Sequence, residues 1–240
     1  MPNNGIPAPR VAVLEQPGTI MSRSWYRYLY NLFARFVEAT GILKTTFGGT
    51  GLGAYLKGDM LYASADDVLA RVAKPDFDAF LTMTATGTPA WQHMSYGAFE
   101  SRVTQVATVA NTAYRVIFAT TTLSKDVTIQ GNTRITCTHA GVYNIQFSAQ
   151  LDKTGGAGPG LVWIWARVNG VDVTYSASQV RLQNTSAELV AAWNFVLEIP
   201  ENGYFELMWA TDDITCVLLA QSASGVVPGI PSVILTVTQA

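Results

Sequence analysis

The side chains that most often perform catalysis or bind metals are few in this chain, and they are scattered. The sequence holds two histidines, His93 and His139, and two cysteines, Cys137 and Cys216. Neither histidine has the sequence spacing of a metal site or a catalytic triad, and the cysteines lack metal-ligand spacing. We therefore predict no catalytic residue, no metal site and no cofactor. Both cysteines are expected to be buried free thiols rather than a disulfide.

Two further patterns resemble chemical motifs but lack a part that the chemistry needs. The segment from Gly48 to Gly53 is rich in glycine, yet it has no lysine and no helical context with which to hold a phosphate. Asp212 and Asp213 are adjacent, whereas glycoside hydrolysis needs two carboxylates that face each other across a substrate. Adjacent residues at a strand end point apart, which favours a loop here. The chain is therefore not expected to be an enzyme.

The balance of charged and hydrophobic residues narrows the class of partner. Charged residues form 13% of the 240 residues, hydrophobic residues form 49%, and the net charge is −2. Such a chain is either a well-buried single domain or a subunit that covers much of its surface in an oligomer. The basic residues form no run that could neutralise successive phosphates, so no nucleic acid is expected as a partner. We expect no membrane insertion and no signal peptide, and hence assembly in a cytoplasm.

The N-terminal region should form an extended arm followed by one amphipathic helix. Four prolines in residues 1–21 favour the arm. Ser22 or Ser24 can cap a helix that runs to about Thr40, before Gly41. Its aromatic and aliphatic stripe is too wide for one partner surface, which favours an anchor over a core helix of the main domain. The candidate anchor residues are Trp25, Tyr26, Leu29, Leu32, Phe33 and Phe36.

The rest of the chain divides into a spacer and a region with the pattern of a β-sandwich. Residues 44–99 are rich in glycine and small residues and predict an irregular shaft. From residue 100 the pattern changes to short strands separated by turns, and Asn169-Gly170 predicts a two-residue hairpin turn. Tyr143–Leu151 alternates strictly, with one wet face, whereas Leu161–Val168 and Leu189–Leu197 are apolar on both faces. Further strands are expected at 114–121, 127–136, 204–210, 214–221 and 232–238.

Several stretches resemble known families of proteins. TFGGTGLGAYLKGDMLYASADDVLARV (Thr46–Val72) and FLTMTATGTPAWQHM (Phe80–Met94) resemble, in order and spacing, a module of phage tail-fibre proteins. The opening, PRVAVLEQPGTIMSRSWYRYLYNLF, is similar to the start of short phage structural proteins. AGVYNIQFSAQL (Ala140–Leu151), RVNGVDV (Arg167–Val173) and PSVILTVTQ (Pro231–Gln239) resemble the trimeric jelly roll of complement-q globular heads and the tumour necrosis factor family.

These resemblances imply a mainly β protein with a C-terminal trimeric jelly-roll β-sandwich, preceded by the arm, the aromatic helix and the shaft. They imply a homotrimeric fibre of a tailed bacteriophage virion, assembled in the host cytoplasm. Residues 1–43 would attach it to the portal or neck, the capsid or the tail, residues 44–99 would form the shaft, and residues 100–240 would bind a host-surface glycan or protein. The alternative is a head-tail connector, a neck protein or a capsid decoration protein that binds no receptor.

Two loops and four tryptophans are the candidate binding residues of the head. Binding residues favour exposed loops on a rigid scaffold, although turn formation alone also explains the loops 153–160 and 221–229. The tryptophans could stack sugars, but their strand positions favour a core or a subunit interface. The receptor-loop candidates are Lys153, Thr154, Gly155, Gly156, Asp212, Asp213, Ser222 and Ser224, and the trimer-interface candidates are Trp163, Trp165, Trp193 and Trp209.

Overall fold

The computed structural model describes residues 14–16, 20–36, 42–43, 49–66 and 68–240. The chain divides into two compact units, Met1–Gln92 and His93–Ala240. Most of the expected N-terminal arm and the last four residues of the predicted helix lie outside the described residues. Within the described part, no helix is long and apolar enough to cross a membrane.

The described part of the first unit contains one helix and three pairs of antiparallel strands. Helix α1 spans Arg23–Phe36, inside the predicted range. Ser22 caps it, since the amide of Trp25 donates to Ser22 Oγ at 3.4 Å and the amide of Tyr26 donates to the Ser22 carbonyl at 2.9 Å. The pairs are β1 (Leu14–Gln16) with β2 (Ile20–Met21), β3 (Met60–Ala65) with β4 (Val68–Val72), and β5 (Ala79–Met83) with β6 (Pro89–His93).

The segment predicted to be an irregular shaft contains two β-hairpins, and Asp59 holds the first of them. Its carboxylate accepts the amide hydrogens of Leu56 at 2.7 Å and Lys74 at 3.0 Å, and it pairs with Arg71 at 3.0 Å. The two amides, followed by Arg71, lower the pKa of Asp59. Gly58 precedes it with a φ of 99°, which glycine adopts without strain. Gly58 therefore allows the turn, and Asp59 joins the two ends of this hairpin through its hydrogen bonds and ion pair.

The second unit consists of strands joined by turns and loops. Fourteen strands lie between His93 and Ala240. They are β7 (Tyr96–Ser101), β8 (Gln105–Val106), β9 (Tyr114–Arg115), β10 (Thr120–Lys125), β11 (Val127–Gln130), β12 (Arg134–Cys137), β13 (Gly141–Lys153), β14 (Gly160–Val168), β15 (Val171–Asp172), β16 (Ser178–Leu182), β17 (Leu189–Ile199), β18 (Tyr204–Thr211), β19 (Cys216–Leu218) and β20 (Val233–Gln239).

These strands form two antiparallel sheets whose neighbours are far apart in sequence. The first sheet has the order β10-β7-β20-β13, and β13 also pairs with β17 and β19, while β19 pairs with β8. The second has the order β11-β12-β18-β14, and β14 also pairs with β15 and β16, while β18 pairs with β9. This Greek-key connectivity over two sheets is that of a jelly roll. The predicted mainly β jelly-roll class is confirmed.

The core lies between the two sheets and is built from the inward residues of each strand. Tyr143, Ile145 and Leu151 of β13 are at most 1% exposed, and Val162 and Ile164 of β14 meet them from the second sheet. The strict alternation predicted for β13 is therefore confirmed. The two cysteines are free and buried, as predicted, and burial raises the pKa of the Cys137 thiol to about 12.

Three details of the strand pattern can be compared with the sequence predictions. Asn169 and Gly170 have φ of 48° and 82°, which confirms the predicted hairpin turn between β14 and β15. The single strand predicted at 127–136 is instead two strands, β11 and β12, because Gly131 and Asn132 adopt positive φ and turn the chain. Strand β7 begins at Tyr96, so the sandwich includes residues that the sequence assigned to the shaft.

Candidate functional site

The chain enters the sandwich at one end, and several loops lie at the other. The chain enters β7 at Tyr96, which lies opposite Thr238 of β20, while Gln239 lies opposite Tyr143. We call this end the base. At the other end, Ser101 lies opposite Val233, and this end carries the loops 153–160, 211–216 and 219–232. We call it the loop end. All the predicted receptor-loop residues belong to segments at the loop end, which is opposite the point of entry.

A buried lysine holds the loop end together. Lys153 is fully buried, and its Nζ donates to Asp213 Oδ2 and, at 2.8 Å, to Thr215 Oγ1. The Thr215 hydroxyl also lies 2.8 Å from the carbonyl oxygen of Gly155 and 2.7 Å from Asp213 Oδ1. The hydrogen bond from Lys153, and then those from Thr215, lower the pKa of Asp213 to about 2. Two loops that are distant in sequence are thereby joined by one ion pair.

This ion pair changes the roles of two predicted receptor residues. Lys153 cannot contact a receptor because its side chain is buried beneath the loops, and Asp213 is engaged with it. Thr154, Gly156 and Asp212 remain exposed. Asp212 Oδ1 accepts the amide hydrogen of Leu161 at 2.6 Å and borders a shallow cleft of about 580 Å³. The cleft is lined by Thr108, Val109, Ala110, Pro159, Asp213 and Ile214 besides Asp212.

The remaining receptor candidates, Ser222 and Ser224, lie in a small exposed hairpin of the loop end. The hairpin is closed by bridges between Gln221 and Ile230 and between Ser224 and Val227. Ser222 lines a second cleft, of about 430 Å³, which also contains Glu100 and Arg102. The structure therefore brings the candidate loops to one end but divides them between two clefts.

The four tryptophans separate into core and surface residues. Trp209 is 1% exposed within a single chain, so it is a core residue rather than an interface residue. Trp193 also faces the core, where its ring packs edge-on against Phe147 with centroids 4.7 Å apart. Trp163 and Trp165 lie on the face of β14 away from the core and are half-buried. Their indole nitrogens donate to Gln179 Oε1 at 3.0 Å and Asp172 Oδ1 at 2.8 Å, and they remain candidate contact residues.

The six predicted anchor residues all lie on helix α1 and form a surface patch there. No residue of this helix is buried, and Tyr26 and Phe33 are about two-thirds exposed. Aromatic side chains exposed to this degree on one helix mark a contact surface more often than a free one. Anchoring of the helix to a virion remains a prediction.

The structure also brings together three residues at the base for which the sequence predicted no shared site. His93, Asp126 and His139 each offer a potential metal-ligand atom, and these atoms lie within 4.8 Å of one another. Each residue belongs to a different segment, so no local spacing could reveal the cluster. His93 falls in the segment that the sequence assigned to the shaft and His139 falls in the head, so no sequence signal placed the two histidines together.

Comparisons with known proteins gave matches among solved structures. No protein-family model matches the sequence, and no curated protein matches it. The chain is similar to two crystal structures of murine APRIL, at 9% and 11% identity with TM-scores of 0.40 and 0.42, over 62% of this chain and 100% of that chain. It is also similar to the globular domain of the zebrafish complement 1qA protein, at 14% identity with a TM-score of 0.36, over 61% of this chain and 97% of that chain.

Proposed function

We propose that this protein is a non-enzymatic virion protein of a tailed bacteriophage: a homotrimeric fibre, attached by its N-terminal region, that presents the sandwich for adhesion to the host surface. The observation that carries the proposal is that the two ends of the second unit differ. The chain enters at the base, and the candidate binding loops lie at the opposite end. A head attached through residues that precede its base would present its loop end outward. The resemblance of Thr46–Val72 to a phage-fibre module supports the same assignment.

The outward face of the first sheet supports self-association. Strands β20, β13 and β17 are adjacent, and alternate residues of β13 from Val142 to Gln150 point away from the core. Among these residues and those paired with them on β17 and β20, one is charged, Glu198. Val142, Val190, Val196 and Ile234 on this face are 42–61% exposed. We call this face the outward face. The face thus combines exposed aliphatic side chains with neutral polar ones such as Asn144 and Gln146, and it carries little charge. Subunit interfaces are likewise depleted of charge at their centre, and further copies of the chain would cover this face. An obligate interface of this kind commonly buries more than about 2,000 Å².

The carboxylates at the loop end support binding rather than hydrolysis. Asp212 accepts a backbone hydrogen bond from Leu161, and Asp213 is paired with Lys153. Both side chains therefore stabilise loop conformations, although glycoside hydrolysis would need them as acid and nucleophile or base. Rigid loops with exposed small polar residues suit recognition of a surface glycan or protein.

Adsorption of the phage to its host tests this function. Purified protein should bind host cells and compete with phage adsorption. The double variant Thr154→Arg and Ala157→Arg alters exposed residues of the 153–160 loop and should lose both effects. The variant Val171→Arg, on the hairpin turn at the base, should retain them. If the loop variant is incorporated into virions that adsorb normally, the protein is a connector or decoration protein instead.

The attachment role of residues 1–43 needs a separate experiment. Virions assembled with a protein that lacks these residues should carry no copies of it, although the shortened protein should still form the oligomer of the full chain. A normal copy number on such virions would show that the anchor lies elsewhere.

A further inference from the structure

Three side chains from separate segments converge at the base of the second unit. The imidazole rings of His93 and His139 are stacked, with centroids 3.6 Å apart and an angle of 18° between their planes. His139 Nε2 lies 3.7 Å from Asp126 Oδ2. One ligand atom from each residue lies within 4.8 Å of the other two, and all three residues are half-buried. Two imidazoles and a carboxylate are thus gathered in a space that one ion could occupy.

The backbone holds two of these residues in fixed turns. Asp126 adopts a φ of 57° between β10 and β11, and its carbonyl accepts the amide hydrogen of Thr138 at 2.9 Å. The hydroxyl of buried Tyr143 donates to the carbonyl of His139 at 2.7 Å. Both bonds use backbone atoms of the cluster residues, so the carboxylate and the imidazole are left for other contacts while their turns are held.

The third residue is positioned by the pairing of β7. Tyr96 lies opposite Lys125 of β10 and Thr238 of β20, and the amide of Gln239 donates to the carbonyl of Ser95 at 2.9 Å. These contacts fix the residues just before Tyr96 beside the turn that carries Asp126. His93 is also the last residue of β6, where the second unit begins.

We propose that His93, Asp126 and His139 bind a divalent first-row transition-metal ion, and that zinc fits this ligand set best. This inference does not depend on the fibre assignment. Zinc takes nitrogen and carboxylate ligands at about 2.1 Å, which places the ligand atoms of a tetrahedral site about 3.4 Å apart. The separation of 3.7 Å between His139 and Asp126 is close to that value. Calcium and magnesium prefer oxygen ligands throughout, so two imidazoles disfavour them.

Binding requires a small rearrangement of the two rings. Stacked imidazoles direct their lone pairs side by side, so His93 and His139 must tilt until those lone pairs converge on the ion. A half-buried site with three protein ligands leaves the fourth position for water. Because the ion binds the folded chain in preference to the unfolded chain, it should raise the thermal stability of the second unit, and above the dissociation constant the gain should grow with the logarithm of the free ion concentration.

Isothermal titration and thermal unfolding test the site on the untagged full-length protein, which must carry no histidine tag. After treatment with a chelator, titration with Zn²⁺ should give one site per chain and raise the melting temperature, whereas Ca²⁺ and Mg²⁺ should do neither. Each of His93→Ala, His139→Ala and Asp126→Asn should weaken Zn²⁺ affinity by more than the tenfold to 100-fold that loss of a supporting contact costs. Asn tolerates positive φ, so Asp126→Asn keeps the turn.

Controls and a spectrum separate the site from incidental binding. Glu201→Gln, an exposed carboxylate of the second unit, should bind Zn²⁺ as the original chain does. With Co²⁺ in place of Zn²⁺, the visible absorption should be that of nitrogen and oxygen ligands without a thiolate charge-transfer band. A thiolate band would assign the ion to a cysteine and overturn the proposal. Absence of binding to the original chain, or equal binding by all three variants, would overturn it as well.

Discussion

The ammonium of Lys153 donates to the carboxylate of Asp213 across two loops that are far apart in sequence. The lysine is fully buried and the aspartate side chain is 26% exposed, so the pair lies beneath the loop surface rather than on it. Thr215 bonds to both residues and to the backbone of Gly155. The loops that we expect to contact a host surface are therefore held in place before binding, which lowers the entropy that binding must overcome.

Replacement of Lys153 tests the structural role of this pair. Lys153→Met removes a buried charge and leaves Asp213 without its cation, so unfolding free energy should fall by about 3 kcal/mol, near the lower end of the range for a broken buried pair. Urea unfolding followed by tryptophan fluorescence measures the loss. As a control, Arg102→Met breaks an ion pair whose arginine side chain is 72% exposed, and it should cost less than about 1 kcal/mol. Equal effects would show that the Lys153 pair contributes no more than a surface pair.

The loss of unfolding free energy at acidic pH should depend on Asp213. Its pKa is lowered from 3.8 to about 2 in the folded chain, so its contribution is complete above pH about 4 and is lost as the pH falls toward 2. Asp213→Asn should be less stable than the original chain near neutral pH. Its unfolding free energy should also fall less steeply between those pH values, as measured by denaturant unfolding at each pH. Parallel profiles for the two proteins would contradict this assignment.

Gly160 is required by the close approach of Cys216. A Cβ at residue 160 would overlap the Cys216 sulfur, and Gly160 itself is buried at the start of β14. Gly160→Ala should therefore destabilise the second unit by about 1–3 kcal/mol, the usual cost of overpacking. Cys216→Ala removes the sulfur, so the double variant should be more stable than the sum of the two single changes predicts, and a double-mutant cycle measures the difference. Simple additivity would argue against the contact.

Asp59 should control the order of the first hairpin of the shaft. Asp59→Asn weakens the charged hydrogen bonds to the amides of Leu56 and Lys74 and removes the pair with Arg71. Hydrogen exchange at those two amides should become faster, and proteolysis within 60–72 should increase. Asp76→Asn, at an exposed position of the same unit, should leave both measurements unchanged. Unchanged exchange in the Asp59 variant would show that the strands alone hold the hairpin.

The parts of this fold that the sequence predicted are those with local periodicity or turn chemistry. Alternation in Tyr143–Leu151 predicted the half-buried strand at the centre of the first sheet. The Asn169-Gly170 pair predicted the two-residue hairpin turn between β14 and β15 of the second sheet. Ser22 and the aromatic stripe predicted helix α1. Each of these signals is contained in a few consecutive residues, where backbone preference and side-chain spacing act together.

The parts that the sequence did not predict depend on contacts between distant segments. The sequence placed Lys153 in a candidate binding loop, and its burial is explained by the pairing with Asp213, which lies in the loop between β18 and β19. The cluster of His93, Asp126 and His139 likewise exists only through strand pairing. The strand position of Trp209 left a core or an interface location open, and the jelly-roll order places its ring in the core. The segment predicted to be an irregular shaft is rich in glycine and small residues, and for this reason its two hairpins were not predicted.

The solution mass of the full-length chain, measured by light scattering on a sizing column, tests the central claim most directly. We predict a mass of three chains, and we predict that Val196→Glu on the outward face of β17 gives a folded monomer, because three carboxylates would be buried at the interface. Val171→Glu, at the exposed hairpin turn of the base, should remain trimeric. A folded monomer of the original chain would contradict the homotrimeric fibre, and the outward face would then be an ordinary solvated surface.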